Sequence, residues 1–116
     1  MIQCKRVYEA PTENDGYRVL VDRLWPRGIK KSDLVYDEWC KDITPSTALR
    51  KAFHAQTLDF AHFSEAYRAE LETHADEVRR LAQVGHEQTL TLLYGARDTQ
   101  QNHALVLADY LRHITL

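Results

Sequence analysis

The chain has 116 residues, 44% hydrophobic and 28% charged, with a formal net charge of −2. That composition belongs to one ordinary globular domain, able to bury about two thirds of its unfolded surface. It excludes a disordered chain, a membrane-spanning chain, whose apolar runs would reach ~18 residues, and a globally basic nucleic-acid binder.

Charge is unevenly spread. Residues 1–31 hold 7 Lys/Arg against 4 Asp/Glu, and the remainder holds 8 against 13. A local anion site is compatible with this, and nucleic acid is not the expected partner. The two cysteines, Cys4 and Cys40, have no paired spacing and read as reduced buried thiols. Met1 leads into a polar segment with Lys5 and Arg6 rather than a signal peptide, so a cytoplasmic protein with no membrane association is expected.

In chain order, Ile2 to Val7 reads as a short strand, and Pro11 with Asn14-Asp15-Gly16 as a connecting loop. Tyr17 to Leu24 is the central strand, apolar on both sides at Val19-Leu20-Val21, as in strands covered on both faces. Pro26 and Gly28 then turn the chain within a dense run of Asp22, Arg23, Trp25, Arg27 and Lys30. Ser32 to Leu34 allows one helical turn. Val35 to Lys41 alternates as a half-exposed strand.

Thr44-Pro45-Ser46 signals a helix start, with Thr44 as the hydroxyl cap. In that helix, 46–54, Leu49 and Phe53 point inward while Arg50 and His54 share an adjacent stripe. Asp59 caps one long amphipathic helix over 60–84, ended by Gly85. Thr89 to Tyr94 is a second buried strand. Gly95 to Gln101 leads into a last helix over 102–113.

Strands interleaved with helices predict an α/β fold: a single small layered domain, with a mainly parallel sheet of about four strands and flanking helices. If strands 19–24 and 89–94 are parallel, loops 22–31 and 95–103 face each other across one crevice at their carboxyl ends. Arg23, Arg27, Lys30 and Arg97 would project there, and guanidinium forks suit phosphate or carboxylate oxygens. Asn102 and His103 sit at the start of the last helix, whose amides would add donors. Arg50, His54, Trp25 and Tyr94 complete the candidate binding set. Asp22 and His103 are the candidate acid/base pair, the helix start favouring a neutral imidazole. The plain alternative is that Asp22 pairs with Arg23 or Arg97, Asp98 caps the last helix, and both tryptophans only pack.

No clustered Cys/His spacing points to zinc, so no metal and no cofactor is expected. The motifs G-x-S-x-G, G-x-G-x-x-G and G-x-x-x-x-G-K are absent.

The run Arg18 to Gly28 resembles the motif of the YeaO-like branch of the bacterial domain-of-unknown-function family 488 (DUF488). The likeness continues through Trp39 and Lys41, Pro45-Ser46, Leu49-Arg50, Phe53-His54, Phe63, Tyr67 and Glu70-Leu71. It ends in Thr91 to Tyr94 and Asn102-His103-Ala104, so nearly the whole chain is covered. The resemblance implies a small cytoplasmic α/β domain and no particular reaction. More distant branches often carry Cys-His-Arg where this chain has Asn102-His103-Ala104, so a cysteine nucleophile is missing here. The expected ligand is a small anionic molecule or a nucleotide. It would be held with or without acid/base chemistry; a noncatalytic sensor and, less favoured, a nucleic-acid accessory protein are the alternatives.

Overall fold

A computed structural model describes residues 1–116. In chain order it has β1 (Ile2–Arg6), β2 (Tyr17–Leu20), β3 (Glu38–Trp39), α1 (Thr47–His54), α2 (Phe60–Glu72), α3 (Ala75–Glu87), β4 (Leu90–Tyr94) and α4 (His103–Arg112). The strands form one sheet in the order β1-β4-β2-β3, and every pairing is parallel. This is the layered α/β domain with a four-stranded parallel sheet that the sequence pattern predicts.

Parallel neighbours require crossovers, and the content of each crossover decides what it covers. The links from β1 to β2 and from β2 to β3 contain no α-helix, whereas the link from β3 to β4 contains three. The sheet therefore has a helix face and a loop face. Val19, Val21, Leu90, Leu92 and Tyr94 point into the helix-side core, with Phe63, Tyr67, Leu71, Leu81 and Leu107. On the loop face, Val7, Leu20, Leu93 and Leu34 pack together under Trp25, Ile29, Tyr36 and Trp39. The buried Asp15 anchors the rest of that face, accepting from Thr12, Lys5 and Arg18, while Thr91 donates to its carbonyl at 2.6 Å.

Several boundaries differ from the sequence pattern, each for a visible reason. β2 ends at Leu20, four residues early, although Val21 N–H still bonds Leu93 O at 3.0 Å. Asp22 turns instead toward Gly95, drawing the chain off the ladder. β3 shrinks to two residues because Asp37 accepts the Arg18 N–H through its side chain at 2.8 Å. Ser46, not Thr44, caps α1; the Thr44 hydroxyl donates to Lys41 O. The single long helix is two, broken at Thr73-His74, where the Thr73 hydroxyl bonds back to Glu70 O at 2.7 Å. Asp76 and Glu77 then favour a new helix N-terminus. Gly85 lies inside α3 rather than stopping it. A Cβ there would sit 2.6 Å from Ile2 Cγ1, so the glycine lets α3 close on β1.

Candidate functional site

From the adjacent carboxyl ends of β2 and β4 the chain departs in opposite directions. The 21–37 loop runs toward β3, while α4 packs back over β1 and β4. Such a divergence opens a crevice beyond the strand ends. A cavity of about 570 Å³ lies there.

The wall common to β2 and β4 centres on Asp22. Its Oδ2 accepts the Gly95 N–H at 2.9 Å, and its carbonyl accepts Trp39 Nε1 at 2.7 Å. A Cβ on residue 95 would lie 2.9 Å from that same Oδ2, so glycine permits the approach. Opposite stands His103, the first residue of α4. Its Nε2 lies 2.8 Å from Val21 O and 3.0 Å from Asp22 Oδ1. Two acceptors around Nε2 assign it the proton, which leaves Nδ1 without a protein partner. The N–H is directed at the Val21 carbonyl, so Oδ1 is close to the ring but accepts no hydrogen bond. It is the one buried side-chain polar atom lacking a partner.

The arginines arrive from four places. Arg6 ends β1, Arg23 and Arg27 come from the loop after β2, Arg50 from α1, and Arg97 from the loop after β4. None of the five forms an ion pair. Arg6 donates to Ala96 O at 2.9 Å and lies over the Tyr8 ring, whose hydroxyl bonds Arg27 O. Arg23 makes only long bonds, 3.3 and 3.4 Å, to the carbonyls of Pro45 and Thr44. The start of α1 is held by Glu70, which accepts both the backbone N–H and the hydroxyl of Ser46. Leu49 is buried and Phe53 stacks on Phe63 at 4.4 Å, which turns Arg50 and His54 toward the cavity.

The cavity thus brings together Asp22, Arg23, Trp25, Arg27, Arg50, His54, Arg97, Asn102 and His103. Lys30 and Tyr94 are not among its walls: Lys30 is exposed on the loop, and Tyr94 is a core residue 4% exposed. Asn102 has both ends of its amide engaged, accepting from Leu105 N–H and donating to Asp98 O. It serves as the cap of α4, while Asp98 caps only the turn before it. Asp22 pairs with neither Arg23 nor Arg97; the side chain that approaches its Oδ1 is His103, at 3.0 Å. Trp25 both lines the cavity and packs edge-on against Tyr36 and Trp39.

Sequence reasoning missed Arg6, Tyr8 and Phe53. Arg6 had a usable signal: it ends the strand that pairs with β4, so it emerges at the same side of the sheet.

The thiols lie elsewhere. Burial pushes Cys4 up to about 11, and burial followed by the charges of Glu38 and Glu77 pushes Cys40 up to about 12. Neither lines the cavity. Glu38, Cys40 and Glu77 have ligand atoms within 4.8 Å of one another. However, Arg80 already sits on both carboxylates, 2.9 Å from Glu38 Oε1 and 2.8 Å from Glu77 Oε2.

The fold and the strand-end site define a small α/β domain with a cleft at the carboxyl ends of its parallel strands. Residues 1–115 match the family described as the inactive DUF488-N3 subclade, and the chain belongs to it. It is similar to the uncharacterised protein YeaO of Escherichia coli (strain K12), 64% identical over 113 residues, which are 97% of this chain and 98% of that protein. It also resembles the uncharacterised protein Rv3073c of Mycobacterium tuberculosis (strain ATCC 25618 / H37Rv), 39% identical over 110 residues, 95% and 92% of the two chains. No solved structure matches.

Proposed function

We propose that this protein binds a small phosphate- or carboxylate-bearing molecule in the cavity at the ends of β2 and β4, and does not transform it. The observation that carries this reading is the wall itself: five arginines without ion-pair partners, against a single carboxylate. Guanidinium groups held without carboxylate partners around a concavity are matched by an anion from outside. The absence of turnover is supported by the lining, which includes neither cysteine nor serine, and by the description of the subclade as inactive. Two free thiols fit a reducing compartment, and we place this binding in the cytoplasm.

A second reading, acid/base chemistry by Asp22 and His103, is favoured by their 3.0 Å approach. Nucleic-acid binding has less support. Of the seven cations in residues 1–31, Lys5 and Arg18 are committed to Asp15, and Arg6, Arg23 and Arg27 face the cavity. No basic stripe is left on the amino-terminal surface.

The test is a thermal-shift and calorimetric titration with inorganic phosphate and citrate, repeated on Arg27→Gln and Arg97→Gln. Ligand that binds only the folded state raises its stability by mass action. Binding weakened about fivefold or more in each variant supports the proposal. Equal affinity in wild type and both variants refutes it. Conversion of a ligand, lost in His103→Ala, would establish the second reading.

A further inference from the structure

We infer that the ligand class is a nucleoside diphosphate, a reading that rests on the anion site proposed above and deepens it. Three observations carry it.

The first is charge. Five guanidiniums less one carboxylate leave the wall at +4 with both histidines neutral. A phosphomonoester brings about −1.5 to −2 at neutral pH, so it offsets at most about half of that. A second phosphoryl group brings ligand and wall close to balance.

The second is size. The cavity of about 570 Å³ falls within the roughly 300–1,000 Å³ of pockets that enclose organic ligands. A bare inorganic anion leaves most of it as water.

The third is exposed apolar surface. Away from the chain ends, only Tyr8, Leu24 and Val35 are large hydrophobic residues left exposed, and the first two stand in this cavity, at 48% and 62% exposure. Trp25 and Phe53 add further rings to the same wall. Aromatic faces accept a flat base with little regard to its identity. Their company with the arginines suits a molecule that is ionic at one end and planar at the other.

The experiment is calorimetric titration of the whole protein, in magnesium-free buffer of fixed ionic strength, with these probes: ADP, GDP, CDP and UDP, their monophosphates, pyrophosphate, inorganic phosphate and citrate. At least one nucleoside diphosphate is expected to bind about tenfold or more tightly than both its monophosphate and pyrophosphate. Leu24→Ser, at an exposed position, is expected to weaken that nucleotide and leave pyrophosphate unchanged. Pyrophosphate binding as tightly as the best nucleotide overturns the organic half of the inference. A monophosphate binding as tightly as its diphosphate overturns the charge argument. If phosphate or citrate binds while no nucleotide does, this inference falls and the anion site stands. If nothing binds, both fall.

Discussion

His103 Nε2 lies between two oxygens, 2.8 Å from the carbonyl of Val21 and 3.0 Å from Oδ1 of Asp22, and hydrogen-bonds only the first. The pair joins the first residue of α4 to the end of β2, while Oδ2 of the same carboxylate takes the Gly95 N–H. Val21 and Asp22 together thus tie the three segments that diverge at the strand ends, Val21 through its carbonyl to α4 and Asp22 through Oδ2 to the end of β4. The negative charge of Asp22 also opposes the ligand that the surrounding arginines would attract.

Asp22→Asn separates these roles. The amide oxygen can still accept from Gly95, but its NH₂ then faces the His103 N–H, donor against donor. Stability should fall by about 1–3 kcal/mol, read from urea unfolding. Anion affinity at low salt should hold or rise a few-fold, because the one carboxylate on the wall is gone. A tenfold loss of affinity would mean that Asp22 organises the binding groups instead of opposing the ligand.

Asp15 sets a pH dependence. Its burial favours the neutral acid, but the Thr12 N–H and hydroxyl, Lys5 and Arg18 outweigh it and hold the carboxyl well below the usual carboxylate range. A depressed folded value means stabilisation that is complete above the unfolded value near ~3.9 and lost as pH falls toward the folded one. Unfolding free energy should therefore be flat in this contribution at neutral pH and decline below about pH 4. Asp15→Ala leaves the Arg18 guanidinium, 4% exposed, without its carboxylate partner. It should cost about 3–5 kcal/mol and remove much of the acid-side slope in a pH series of denaturation curves. An unchanged slope would place the titration elsewhere.

The sequence made the crevice legible because two apolar runs, Val19-Leu20-Val21 and Thr89 to Tyr94, are each too hydrophobic to be edge strands. Two buried parallel strands put their following loops on one side, which is enough to join Asp22 to His103. Less of the wall could be read. Arg6 is placed at the wall by the pairing of β1 with β4, Arg6 opposite Tyr94, which a short strand with polar Gln3 and Lys5 does not announce. Lys30 looked like Arg27 in sequence, yet the turn at Gly28, φ +77°, sends it to solvent. Tyr94 ends its strand pointing to the helix core, a matter of register that composition does not reveal. The break at Thr73-His74 interrupts an apolar pattern that carries on in phase, so periodicity alone could not locate it.

Cys40 and Cys4 should both be slow to alkylate in the native state. With thiols near 12 and 11, the thiolate at pH 8 is at most about a thousandth of the population, against roughly a quarter in an unfolded chain with a thiol near 8.5. Iodoacetamide labelling followed by intact mass should give little modification over minutes in buffer and two adducts in denaturant. Rapid native labelling of either residue would point to an activated thiol and reopen a nucleophilic role.

Gly16 joins the Asp15 turn to β2 and fixes where that strand begins. Its φ of +61° lies in the left-handed region, and a Cβ there would come 2.2 Å from Thr89 O, the acceptor of the Tyr17 N–H at 2.9 Å. Backbone strain of this kind costs about 1–3 kcal/mol before any clash, and here the obstructing atom is a carbonyl in the sheet, which cannot rotate away. Gly16→Ala should lower stability by roughly 3 kcal/mol or more. It should also perturb β2 and the Asp15 cluster before the helices, seen as early hydrogen exchange at Tyr17 to Leu20. Gly28→Ala has the same handedness cost but open space around it, so it should lose only about 1 kcal/mol. Equal losses in the two variants would mean that φ alone, and not the approach to Thr89, makes residue 16 a glycine.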